Sequence, residues 1–222
     1  TGEFFTANDF AVGLSYARKI ANWFSFGATA KMINSQIWHE SASAFAVDLG
    51  VIVKTQFFSP TGEKGNGLDI GMSISNYGSR MQYDGIDLIQ PIDISIDETG
   101  NYGDVIGQYR TQAWELPLMF RIGLSYKPIQ TSFSSLTLAA DALHPNNNSE
   151  SINVGAEYAL KISNAGKFFV RGGYKALYMD ETEFGLTAGG GIELFARGNR
   201  SVKVDYAFKE AGILGRTHAY TI

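Results

Sequence analysis

Histidine is the side chain most often used for proton transfer near neutral pH, and this chain has three: His39, His144 and His218. Each falls at an expected strand end or turn, and His144 beside Pro145 reads as turn chemistry. No serine sits in the context of a nucleophile elbow. Carboxylates gather in DISIDETGNYGD, where Asp93, Asp97, Glu98, Asn101 and Asp104 offer oxygens of the kind calcium prefers. Their spacing matches no EF-hand loop, so a solvated acidic loop is the better reading. GNGLDIG (residues 65–71) lacks the spacing of a dinucleotide fingerprint and opens no helix. These residues give no reason to expect catalysis, a cofactor or a metal.

A second set of charged residues is harder to place. LTLAADALHPNNNSESINVGAEY (136–158) sets a lone acid, Asp141 and then Glu157, within two segments of Leu, Ala, Val and Gly. The same isolation recurs at Asp48, Asp69, Glu193 and Asp205, and with opposite sign at Lys31, Arg121, Arg171, Lys175 and Lys203. An unpaired buried charge is expensive, so these nearly balanced acids and bases are expected to pair with one another.

The elements that carry them alternate with period two. Phe10, Val12, Leu14 and Tyr16 begin the pattern, followed by segments 24–31, 45–53, 68–75, 116–126, 136–143, 152–160, 168–175, 186–194 and 202–209. Another strand begins near Thr217. About eleven strands joined mostly by short turns make an up-and-down antiparallel meander. One parity is aliphatic and aromatic throughout. The other is Gly, Ala, Ser and Thr with about one charge per strand, and every lone charge above falls on it. A wet face in a soluble sandwich would carry long polar side chains. A small, sparsely charged face resembles a crowded interior, and the apolar one resembles a lipid contact. The expected fold is therefore all-β: a transmembrane antiparallel up-and-down β-barrel in the bacterial outer membrane, apolar side chains against lipid and paired charges in the lumen. Tyr16, Trp23, Trp38, Tyr126, Tyr158, Tyr178 and Tyr206 are expected near strand ends, as an interfacial belt. Balanced lumen charge argues against a pore selective for one sign of ion.

Composition agrees. The chain has 222 residues, 25 of them Gly, no Cys and a net charge of −4. Without a basic stripe, nucleic acid is not an expected partner, and no apolar run reaches the length of a membrane helix. TGEFFTANDF enters directly into a strand pattern with neither initiator Met nor basic leader, so residues 1–222 read as one barrel domain within a longer chain.

Residues 78–114 form the one long connection, expected to be extracellular because long loops in such barrels are. The HPNNN turn and the turns near 180 and 212 share that side. The loop's apolar residues Met81, Tyr83, Leu88, Ile89, Pro91, Ile92, Ile94 and Ile96 are candidates for binding a partner. Alternation through PIDISID predicts a β-ribbon. The competing expectation is a loop folded back on its own barrel.

FTANDFAVGLSYARKI, IWHESASAFAVDLG, LDIGMSISNYGSRMQYDG, WELPLMFRIGLSY, VRGGYKAL, GLTAGGGIEL and VDYAFKEAGILGRTHAYTI, in this order and together with the 136–158 segment, resemble the PorV/PorQ family of outer-membrane proteins, of the FadL-like 14-stranded barrel class. The resemblance covers nearly the whole chain. It implies three further strands before Thr1, an N-terminal Asn-Pro-Ala-Gly segment not present here, and a last strand cut short. It also implies a role in the type IX secretion system, with the translocon barrel and cargo C-terminal signal domains as partners and outer-membrane lipid as the surroundings. More distant FadL relatives import hydrophobic small molecules, which is the alternative function.

Overall fold

The computed structural model describes residues 2, 4–59, 62, 67–92, 105–162, 165–179, 182, 184–196 and 200–222. Fourteen strands are formed: β1 (Ala7–Ala21), β2 (Phe24–Ile37), β3 (Glu40–Lys54), β4 (Asp69–Gly78), β5 (Asp84–Gly85), β6 (Ile89–Ile92), β7 (Val105–Gln108), β8 (Met119–Gln130), β9 (Ser134–Pro145), β10 (Ser151–Ile162), β11 (Gly166–Leu177), β12 (Phe184–Ala196), β13 (Arg200–Ala211) and β14 (Arg216–Thr221). Eleven of them form one sheet in the order β1-β2-β3-β4-β8-β9-β10-β11-β12-β13-β14, and β5 joins it as a twelfth by pairing with β3. The ribbon β6–β7 is separate. The eleven long strands are those expected from the period-two pattern. Sequential neighbours pair because short turns leave an antiparallel return as the nearest partner. Among the described residues the path ends at β1 and at β14, with no pairing recorded between these two strands.

Turn chemistry sets several of the reversals. Between β8 and β9, the Thr131 hydroxyl accepts the Ser134 amide at 3.0 Å, and the Thr131 amide donates to the Ser134 carbonyl at 2.8 Å. Across the Pro-Asn turn between β9 and β10, His144 Nδ1 lies 2.8 Å from Glu150 Oε1. The fifth long strand starts at Met119 rather than Leu116. Leu116 is buried at 6% exposure, and its carbonyl is taken at 2.7 Å by the Leu118 amide, which bends the chain before the sheet begins.

The two faces separate as their side chains predict. On β3, Ala42, Ala44 and Ala46 are 1–2% exposed, whereas Phe45 is 67% exposed. β10 and β11 alternate almost perfectly, with Val154, Tyr158, Phe168 and Val170 exposed and Gly155, Glu157, Phe169 and Arg171 partly covered. The apolar face is the uncovered one, the reverse of a soluble core. Of the aromatic residues expected at strand ends, Trp23, Trp38 and Tyr178 do lie in turns. Tyr16, Tyr126, Tyr158 and Tyr206 sit inside strands instead. From β9 to β13 the strands run past the alternating segments, mostly by two residues at each end, so there the expected ends fall inside the actual ones.

Two compact units result. One comprises Thr1–Tyr16, Ala28–Leu49 and Ser75–Leu118; the other Ala17–Gly27, Gly50–Ile74 and Met119–Ile222. The buried centre of the first is Ala42, Ala44, Ala46, Met81 and Leu116, with Ile33 and Tyr83 packed against it.

Candidate functional site

The charges on the small-residue face come first, because their pairing was the sharpest expectation. In the second unit, register places Glu157 of β10 directly opposite Arg171 of β11, and Arg171 Nε donates to Glu157 Oε2 at 2.6 Å. The same guanidinium reaches Asp205 on β13, with Nη1 to Oδ1 at 2.5 Å. β12 lies between, and it leaves the path open: Gly189 faces Arg171 and Gly191 faces Asp205. A Cβ at Gly191 would sit 2.2 Å from Asp205 Oδ1. Lys203 Nζ approaches Asp205 Oδ2 at 3.3 Å, and Lys167 approaches Glu193 at 3.8 Å. The Phe169 ring lies beneath both Arg171 and Lys203, at 5.1 and 4.9 Å. In the first unit, Lys31 Nζ is 2.7 Å from Asp48 Oδ1, and the Asn76 amide donates to the same carboxylate oxygen at 2.8 Å.

Thus Lys31, Asp48, Glu157, Arg171, Lys203 and Asp205 pair among themselves, Glu193 pairs with Lys167, which was not among the expected partners, and four named charges do not pair among the described residues. Lys175 lies over the Phe184 ring at 4.1 Å, which Lys209 also approaches, and makes no ion pair among the described residues. Asp141 leans over Gly123, and Arg121 one register step away is exposed; neither makes an ion pair among the described residues. Asp69 Oδ1 is buried without a hydrogen-bond partner among those residues.

The long loop divides into a root and a ribbon. At the root, Met81 and Trp114 exchange backbone hydrogen bonds at 2.9 Å. Met81, at 4% exposure, packs with Leu116 onto the alanines of β3. Tyr83 is half-buried, its ring 5.0 Å from Trp114 and its hydroxyl 2.8 Å from Ser35 Oγ. Met81 and Tyr83 are therefore not free for a partner, which corrects the expectation for both. Past the root, β5 pairs with the start of β3, the Asp87 amide donates to Glu40 Oε1 at 2.9 Å, and His39 Nδ1 lies 2.9 Å from Asp87 Oδ2. A Cβ at Gly85 would meet Glu40 Oε2 at 2.3 Å, so this strap closes only over glycine.

The ribbon is the part that stands free. β6 and β7 pair over Ile89–Ile92 and Val105–Gln108; of the alternating PIDISID stretch, Pro91 and Ile92 fall in β6, and residues 93–97 lie outside the described residues. Ile89 and Pro91 are exposed, while Leu88 and Ile92 are half-buried. Ile94 and Ile96 lie outside the described residues, as do the acidic positions Asp93, Asp97, Glu98, Asn101 and Asp104. Sequence reasoning passed over Ile86, Ile106 and Tyr109, which are 64%, 76% and 60% exposed. The signal was present as a short apolar pair, Val105-Ile106, opposite PI in the ribbon, but it needed the pairing to be seen.

The three histidines hold local structure: His39 the strap, His144 a turn, and His218 the hydroxyl of Tyr206 at 2.8 Å. Among the described residues no group of three or more acids or histidines is placed to hold a metal ion. The arrangement offers binding surfaces: a charged, glycine-floored wall and an exposed apolar ribbon. No protein-family model matches the sequence, and a search of curated proteins finds no match.

Proposed function

We propose that the chain is the wall of an outer-membrane β-barrel of the PorV/PorQ type, which takes part in type IX protein secretion by binding cargo or translocon proteins at the cell surface. The membrane part of this reading is supported by the uncovered apolar face on strand after strand, opposite a face of small residues and ion pairs. In lipid an open sheet edge costs several kcal/mol for each unpaired backbone group, so β1 and β14 need partners and closure follows. The fourteen-strand count comes from the family resemblance.

The observation that carries the binding role is the ribbon. Its root is fastened by Met81, Trp114, the β5 pairing and the His39–Asp87 contact, while Ile89 and Ile106 remain exposed. A fastened ribbon with an apolar face suits docking, because little conformational freedom is lost on binding. A second reading, uptake of hydrophobic small molecules, draws on a shallow concavity of about 530 Å³ lined by small residues such as Thr137, Ala139 and Gly189, but also by the charged Glu157, Arg171 and Asp205.

The test is a mild-detergent pull-down of the tagged full-length protein from its own outer membrane, with bound proteins identified by mass. Recovery of a very large barrel, or of secreted proteins sharing one C-terminal domain, supports the secretion role. Recovery of the barrel alone, with lipid-like molecules attached, moves the assignment to uptake.

A further inference from the structure

The loop root holds more polar groups than its own fastening consumes. Beside the Met81–Trp114 exchange, the chain at 82–84 and at 108–111 borders an open concavity of about 420 Å³, whose lining includes Gln82, Asp84, Gln108, Tyr109, Arg110 and Thr111. Several bonds fix its walls. The Gln82 side-chain amide donates to the Thr111 carbonyl at 2.7 Å, and the Thr111 hydroxyl donates to the Tyr83 carbonyl at 2.6 Å. The Gln108 side-chain amide donates to Asp84 Oδ1. The Tyr109 backbone amide donates to the Leu88 carbonyl at 2.8 Å, which anchors this residue and leaves its side chain 60% exposed.

The groups left over form a mixed set. Asp84 keeps one carboxylate oxygen, which only accepts; Arg110 presents a guanidinium, which only donates and has no bond among the described residues; Gln82 keeps its side-chain carbonyl. One acid and one base leave the lining without net charge, so a charged ligand gains little here. An apolar peptide gains little either, because Tyr83 is already held by Trp114 and Ser35. A sugar ring fits this inventory. Its neighbouring hydroxyls donate to a carboxylate and accept from a guanidinium, and its C–H face is apolar enough to lie on an exposed aromatic ring. We propose that this pocket binds a saccharide, with Tyr109 against one face of the sugar and Asp84, Arg110 and Gln82 holding its hydroxyls. Its position at the cell surface rests on the barrel reading above, whereas the recognition chemistry rests on the pocket alone and serves either functional role. Two sources carry that chemistry: the glycan of outer-leaflet lipid, and glycan borne by a secreted protein.

The experiment uses the full-length protein in detergent and saturation-transfer NMR, which reports the ligand protons that touch the protein. One probe is polysaccharide cleaved from the lipid of the protein's own outer membrane; the other is glycan released from the proteins its cell secretes. Saturation of ring C–H protons is expected with at least one probe, and the responding probe names the source. Tyr109→Ala should weaken binding about fivefold or more and Arg110→Leu about tenfold, while Tyr109→Phe keeps most of the affinity. Both side chains are exposed, so these variants should unfold at the wild-type midpoint. Tyr178→Ala, in an exposed turn, should leave binding unchanged. Silence from both probes overturns the proposal, as does binding that Tyr109→Ala and Arg110→Leu leave intact. Sugar binding without secretion proteins in the pull-down would keep this pocket and remove the secretion role; the converse would remove the pocket and keep the role.

Discussion

Arg171 makes two carboxylate contacts from one guanidinium, and only one of them spans adjacent strands. Its pair with Glu157 could be anticipated, since both lie on one parity of neighbouring strands. Its reach to Asp205 depends on Gly189 and Gly191 presenting no side chain between, a matter of register that alternation does not contain. The same limit explains Lys175, which shares the parity of the acids but stands beside Phe184 and Lys209. Pairing is therefore testable by non-additivity. Arg171→Met leaves the Glu157 and Asp205 carboxylates without their shared cation, with β11 and β12 between them, and the midpoint of heat unfolding in detergent should fall by ~2–8 °C. The triple variant Arg171→Met, Glu157→Gln, Asp205→Asn should recover most of that loss, as replacement of a whole ionic group often does. A triple variant no better than the sum of its parts would remove the network from the account.

At the scale of elements, the long loop is where sequence reasoning was least able to decide. Met81 and Ile89 are both apolar loop residues, and nothing local separates one that covers its own chain from one that awaits a partner. The difference is tertiary: Met81 finds the alanines of β3, whereas Ile89 belongs to a ribbon on which Ile89 and Ile106 are exposed. Met81→Ala should weaken the root by about 2–4 kcal/mol. The expected readout is faster proteolysis within residues 84–92 while β8 to β13 stay protected, measured by mapping early cleavage sites. Gly85→Val should loosen the same region by a different route, since a Cβ there would meet the His39 backbone carbonyl at 2.5 Å, which cannot swing aside as the Glu40 carboxylate can. Equal protection of the loop in both variants would mean that root and strap do not hold it.

For the whole molecule, eleven strands and the assignment of their faces were legible, because period-two alternation is a strong signal and every strand repeats it. The exact strand ends and the interior placement of Tyr158 and Tyr206 were not, because pairing extends strands beyond their alternating centres. Val170, 62% exposed on the apolar face of β11, gives the sharpest test of the surroundings. Val170→Arg should cost ~2–4 kcal/mol in urea unfolding from liposomes; a neutral result would mean that this face meets water. The glycines of β12 carry one more consequence, for assembly. Gly189, Gly190 and Gly191 look alike from either side, so the middle of this strand holds no information about its own alignment, and weakly marked strands are prone to slip. The Arg171–Asp205 bridge passes over that blank stretch and closes only when β11 and β13 stand in the right alignment with β12 between them. A chain paired one residue out of step would turn Arg171 or Asp205 to the opposite, apolar face of the sheet. The bridge thus marks an alignment that the glycines beneath it do not.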